Sequence, residues 1–274
     1  MTTTSTHIEA SSYSPMRALF ARAFSSQLKI LAMFGFYSIV MGLVIGLLWE
    51  PLQDAFSSFE LPEALTTILP GADLTTPAGW ANAEFLSMIA PGGMIALAIM
   101  AGLRATAKEE ESKTLGMSLS APVSRNQFLA AKTLSVVSYV LIMGVLIYLG
   151  LLTADISGSL ELSSSGMIAA AIHTTLLGLV FAAITLTVGV ATGRAKPTMG
   201  IAALLAVLSF VVASFFPLSE TLNDWTKLSP WFHYNGHNPL VEGVDVSSAL
   251  VLGIAALVIG AIGFLQFPRR DLHG

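Results

Sequence analysis

His233 and His237 stand four residues apart in Trp231-Phe232-His233-Tyr234-Asn235-Gly236-His237, a spacing at which two imidazoles can share a metal ion. No third ligand is near in the sequence. Trp231, Phe232 and Tyr234 suit a membrane–water interface, so the stretch reads as an aromatic, partly re-entrant plug, and no metal site is expected. His173, beside Thr174 and Thr175, is the one ionisable side chain inside the long apolar runs. It either lines a path through the bundle or is satisfied by a neighbouring helix. Catalytic motifs are missing or broken. There is no His-Glu-x-x-His, and Gly116-Met117-Ser118-Leu119-Ser120 lacks the closing glycine of a nucleophile elbow. Ser26-Gln27-Leu28-Lys29 matches Ser-x-x-Lys without that motif's companions. With no cysteine, thiolate metal sites and cysteine nucleophiles are excluded. No catalytic residue is therefore expected, and no cofactor is expected in this chain.

The remaining polar chemistry is concentrated in residues 109–125, EEESKTLGMSLSAPVSR. Glu109, Glu110 and Glu111 lead the stretch, and Glu109 stands four residues before Lys113, the favourable order for a helical ion pair. Leu115 and Leu119 share one helical face with Met117 beside it, and Pro122 ends that short helix. Ser124 then opens the next helix: it can cap it, Gln127 completes a capping box, and Val123 can staple to Phe128. A plain connector needs only a few residues. This one is longer and carries an apolar Leu/Met face with no core of its own, which calls for a partner; the alternative is a solvated, charged connector.

The elements that must hold these residues are apolar. Hydrophobic residues make up 54% of the chain and charged residues 11%, against roughly 25% charged in soluble domains. Six runs, 30–49, 85–103, 133–154, 166–193, 198–216 and 247–267, lack Asp, Glu, Lys and Arg, and each approaches the roughly 20 residues of a spanning helix. The fold expected is an all-α integral membrane protein of six transmembrane helices. Alternate loops differ in charge: twelve of the thirteen Lys and Arg residues fall on one side and only Lys227 on the other. Basic residues mark the cytoplasmic side, so both termini are expected in the cytoplasm and residues 109–125 with them. Ser14-Pro15 resembles a helix start, after which Met16, Leu19, Phe20, Ala23, Phe24 and Leu28 recur at helical spacing. This predicts an amphipathic helix in the cytoplasmic interface. Pro91-Gly92-Gly93 should kink or open the second span, as packing or as a hinge. Residues 1–12 are expected to form a disordered tail with no cleaved signal, and residues 13–274 a single transmembrane domain.

The cytoplasmic stretch resembles the loop between the second and third spans of permeases of type-2 ABC exporters. There, acidic residues precede Gly-Thr-Leu-Glu, an apolar stretch and Pro-Val-Ser-Arg. Here the order is Glu109-Glu110-Glu111-Ser112-Lys113-Thr114-Leu115-Gly116, then Met117 to Ala121, then Pro122-Val123-Ser124-Arg125. The basic amphipathic start, the six spans, the outer Ser229-Pro230-Trp231-Phe232-His233-Tyr234 and the Arg269-Arg270-Asp271-Leu272 tail also fit. Lys113 stands where the family often has Gly, and Gly116 where it often has Glu. The resemblance implies a coupling helix over this segment, seated in a cytoplasmic ATPase. The chain has no Gly-x-x-x-x-Gly-Lys-[Ser/Thr] phosphate loop. ATP and Mg²⁺ would then belong to a separate ATPase subunit, present twice, beneath two permease halves forming a homodimer or a pair of related chains. The implied role is export of an amphipathic or lipophilic substrate (a drug, a peptide antibiotic or a lipid-like molecule) across the cell membrane, with no nucleic-acid partner. Pro91, Gly92, Gly93, His173, Thr174, Trp231, Phe232, His233 and Tyr234 are candidates for the substrate path or gate. Two other classes remain: an ion-coupled secondary carrier, disfavoured by spans without acidic or basic side chains, and a non-transporting membrane scaffold, which leaves residues 109–125 unexplained.

Overall fold

The computed structural model describes residues 15–57, 76–111 and 124–266. In chain order the helices are α1 (Pro15–Ser25), α2 (Leu28–Ser57), α3 (Pro77–Ala81), α4 (Ile89–Ala105), α5 (Ala107–Glu111), α6 (Arg125–Gly158), α7 (Ser164–Thr192), α8 (Ala195–Phe215), α9 (Pro230–Asn235), α10 (Pro239–Glu242) and α11 (Val246–Gln266). No strand occurs among the described residues. Six segments are long and apolar enough to cross a membrane: α2, α3 with α4, α6, α7, α8 and α11. They coincide with the six apolar runs of the sequence. Residues 1–12 and the Arg269-Arg270 tail lie outside the described residues.

With no water to exclude between helices in lipid, spans associate by close packing and by hydrogen bonds across small residues. The α2–α6 pair shows this most clearly. Ser38, Gly42 and Gly46 recur every four residues on one stripe of α2. A Cβ on Gly42 would run into the carbonyl oxygen of Gly150, and one on Gly46 into Ser157 and Ala154. The backbones are near enough for Thr153 Oγ to donate to Ile39 O at 3.3 Å and Ser157 Oγ to Leu43 O at 3.4 Å. Trp80 Nε1 donates to Ile45 O at 2.9 Å, fixing α3 on the same helix.

Span α7 is enclosed on several sides, packed against α4, α6 and α11. Gly178 lies against Met94 of α4, and Gly102 of α4 against Thr185. On its other side Thr187 Oγ donates to Ile259 O of α11 at 2.8 Å. By contrast α8 buries only Thr198, Ala202, Ser209 and Ser214, and α11 only Ser248, Leu252 and Gly263. Their remaining apolar surface faces outward, as lipid-contacting surface does.

The second span is broken just before Pro91. After α3 the chain makes a π-helical turn over Asn82–Leu86, passes through Ser87 and Met88, and restarts at Ile89. Pro91 is the third residue of α4, in the first turn, where its missing N–H costs nothing. A proline ring clashes with the carbonyl four residues earlier, here Ser87, so the break falls where the Pro-Gly-Gly triplet predicts a kink. A second break at Thr106 separates α4 from α5, and Thr106 Oγ donates back to Gly102 O at 2.9 Å. α1 is helical as its spacing predicts. Leu19 packs toward Phe128, Leu129 and Val190, and Phe24 stacks on Tyr139 at 4.9 Å, while Arg17 and Arg22 are exposed.

Candidate functional site

Two clusters of polar contacts lie at opposite ends of the bundle. The basic end joins the start of α2, the α4–α5 junction, the start of α6 and the tight α7–α8 turn. Arg104 Nη1 donates to Ser26 O at 3.4 Å, tying α4 to the α1–α2 corner. Ser124 caps α6: Gln127 N donates to Ser124 Oγ at 3.2 Å and Ser124 N to Gln127 Oε1 at 3.0 Å, the reciprocal capping box that the sequence predicts. Arg125 is the first residue of that helix, and Lys132, one turn past Phe128, places its ammonium 5.5 Å from the Phe128 ring.

Glu109, Glu110 and Glu111 complete α5. Glu111 reaches across to the α7–α8 turn, where Ala195 N donates to its Oε2 at 3.4 Å. Arg194, the N-cap residue of α8, gives that helix no side-chain cap, so a carboxylate from another element meets its exposed N–H groups. Lys113, Thr114, Leu115, Met117, Leu119, Pro122 and Val123 lie outside the described residues, and the expected coupling helix lies there with them.

The acidic end is built around α9. Ser229 N-caps it and Pro230 begins it, the pairing favoured at helix starts. The helix is held by four spans. On α8, Ser229 Oγ donates to Ser209 O at 2.6 Å, Trp231 N donates to Ser209 Oγ at 3.1 Å, and Trp231 sits edge-on to Phe210 at 5.1 Å. On the second span, Tyr234, fully buried, donates its hydroxyl to Leu86 O at 2.6 Å. On α7, His173 Nδ1 lies 3.1 Å from His233 O. A carbonyl can only accept, so this nitrogen carries the proton. On α11, Ser248 Oγ lies 3.2 Å from His233 Nδ1, while His233 Nε2 donates to Lys227 O at 2.8 Å.

Depth follows from the helix rise. Leu240 O packs where a Cβ of Gly166 would be, near the start of α7. His233 O meets His173, seven residues further along the same helix, about 10 Å deeper at 1.5 Å per residue. The α8–α11 connection therefore dips into the bundle at α9 and returns at α10; this re-entrant stretch is called the plug.

The candidate path residues divide by what they touch. His173 is buried and bound to the plug, with no partner for Nε2 among the described residues. Thr174 is buried but spends its hydroxyl on Ala170 O at 2.7 Å in its own helix. Phe232 packs edge-on to His233 and His237. Gly92 is exposed with open space at its Cβ position, and Gly93 nears only Phe34. Neither is brought to the plug.

His237 Nε2 lies 3.5 Å from Asp245 Oδ2. No group of three metal-ligating side chains occurs among the described residues. Asp245 is occupied with the start of α11, accepting from Ser247 N at 3.1 Å, Ser247 Oγ at 2.8 Å and Ser248 N at 3.3 Å. Its bonds with Ser248 and Ser247 outweigh its burial and hold its carboxyl well below the usual carboxylate range.

Four of these residues were not singled out as site residues in the sequence: Glu111's partner Ala195, Ser209, Ser248 and Leu86. Ser209 and Ser248 carried a signal, since a serine in an apolar run is commonly a hydrogen-bonding residue at a helix contact. The other two act through backbone and leave no trace in residue type.

These features define a polytopic helical membrane protein with six spans, a polar segment entering the third and a re-entrant plug before the sixth. Residues 64–272 match the family model described as ABC-2 family transporter protein, and the chain belongs to that family. It is a multi-pass membrane component of an ABC transporter, in a family that normally works with an ATP-binding subunit. No curated protein matches the chain.

Proposed function

We propose that this chain is the permease subunit of an ATP-driven exporter in the cell membrane, with the basic end in the cytoplasm and both termini there. Two such subunits, identical or related, would form the pathway above two copies of a separate ATPase subunit. ATP and Mg²⁺ would act in that partner, where phosphate positioning carries the chemistry. The observation that carries this reading is membership of the ABC-2 family over 64–272, joined to a polar, partly apolar segment at 109–125 on the basic end. No phosphate loop occurs in the 274 residues.

In this reading ATP binding draws the ATPases together, the segment around Leu115 and Met117 moves with them, and the spans pass from inward- to outward-facing. The plug is the closed outer gate. Its ties to the second span, α7, α8 and α11 must be exchanged for others when the spans part. Selectivity comes from different affinity for substrate in the two states. Spans without acidic or basic side chains favour an amphipathic or lipophilic cargo.

The test is co-purification with the Walker-motif ATPase expressed alongside it, for the parent and for Leu115→Asp and Met117→Asp. The reading predicts that both changes abolish the complex while membrane insertion persists. Retention of complex and ATPase activity in both variants would refute the coupling assignment.

A further inference from the structure

We propose that Glu111 is a positioning residue that ties the cytoplasmic segment to α8, and that α8 carries the movement of that segment to the plug. This deepens the permease reading and rests on it. At the basic end, the carboxylate ending α5 accepts the N–H of Ala195, the first residue of α8. Residue 111 lies within the 109–125 segment proposed to meet the ATPase, so displacement there moves the acceptor directly. At the other end, Ser209 holds the plug through Ser229 Oγ, Trp231 N and the neighbouring Phe210–Trp231 ring contact.

Between these ends α8 is a single uninterrupted helix, spanning about 21 Å from Ala195 to Ser209 at 1.5 Å per residue. Among the described hydrogen bonds, those joining α8 to other elements fall at two levels: Ala195 to Glu111 and Thr198 to Thr192 at its start, and Ser209 to the plug in its later half. Between them α8 packs on α7 and α4 through one face and leaves most of its surface outward, so it can shift as a body along them.

The other spans touching the plug are placed differently. α7 is enclosed on several sides, so it serves as frame. α11 is pinned to α7 in its last turns by Thr187 Oγ to Ile259 O and by Gly263 against Thr187. The second span reaches the plug through Leu86 O, but its helix is broken between that carbonyl and Ile89. Among the described residues, only α8 joins the Glu111 carboxylate to the plug without an interruption.

Physical intermediacy is not coupling, so the test must read coupling itself. The chain has no cysteine, which allows Ser209→Cys with Ser229→Cys to lock the plug onto α8 by a disulfide or a short thiol cross-linker. The ATPase rate of the purified complex is measured with the lock open and closed, in the parent and with Glu111→Ala added. Closing the lock is expected to slow ATP hydrolysis at least about fivefold in the parent, the lower end of typical allosteric coupling. With Glu111→Ala the two rates should agree, while cross-linking yield stays at the parent level and shows the plug intact. Glu111→Gln, which can still accept the bond, retains the response. Equal slowing with and without Glu111→Ala would overturn the inference, as would a closed lock that leaves the parent rate unchanged. Failure of any ATPase to co-purify would instead sink the permease reading on which the relay rests.

Discussion

Replacing Gly42 by alanine tests the packing that fixes the frame of the bundle. The added methyl would lie in contact with the Gly150 carbonyl and 2.7 Å from Thr153 Oγ, so α2 must lift away from α6. Overpacking of this kind costs about 1–3 kcal/mol. Lifting also lengthens the Thr153 to Ile39 and Ser157 to Leu43 bonds, interhelical bonds of a type averaging about 0.6 kcal/mol each in membranes. The expected loss is about 2–4 kcal/mol in total. Gly253→Ala in α11 is the control, because a Cβ there meets nothing within 4 Å. It should be neutral, or stabilising by up to about 1 kcal/mol through helix propensity. The assay is unfolding of the purified chain in mixed micelles by added SDS, followed by tryptophan fluorescence. Trp80, bonded to Ile45 O of α2, reports the region directly. If Gly42→Ala unfolds at the same SDS fraction as Gly253→Ala, the close α2–α6 contact is not what holds these helices together.

Three further outcomes follow from the polar contacts. Asp245 has a folded-state pKa below its unfolded one, so its contribution is present above the unfolded value and is lost as pH falls through the folded one. Asp245→Asn should leave the cap in place, since asparagine caps a helix as well as aspartate does, and flatten the acid dependence of unfolding relative to the parent. Tyr234→Phe leaves the buried Leu86 carbonyl without its donor and should cost about 1–3 kcal/mol in the same SDS titration. Ser124→Ala removes one arm of the capping box and should cost about 1 kcal/mol, seen as faster hydrogen exchange at Gln127 and Phe128 with the rest of α6 unchanged.

Much of the fold was legible because lipid imposes a length and a polarity that sequence shows directly. Each of the six uncharged runs matches a described span to within a residue or falls inside it, and the Ser124–Gln127 box follows from two residue types three apart. The plug was legible from Ser229-Pro230 and the aromatic cluster behind it. What was not legible depends on residues far apart in the chain. Glu111 and Ala195 are separated by 84 positions and Tyr234 and Leu86 by 148, and in each pair one partner offers only backbone. The Pro-Gly-Gly triplet marked the break in the second span, which falls at Ser87 and Met88 just before Pro91. The π turn over Asn82–Leu86 that leads into it was not legible from residue type. His173 left two readings open, and its bond to His233 O shows that it meets a neighbouring helix of the plug.

The central claim is that ATP bound by another chain opens the plug of this one. The most direct measurement uses Phe232→Cys in the cysteine-free chain, assembled with its ATPase in sealed vesicles and treated with a membrane-impermeant maleimide. Labelling is compared without nucleotide and with ATP trapped on the ATPase. The account predicts that trapping ATP raises the labelling rate at least about fivefold, from the side opposite the ATPase. A rate unchanged by nucleotide, in a complex that still hydrolyses ATP, would contradict it.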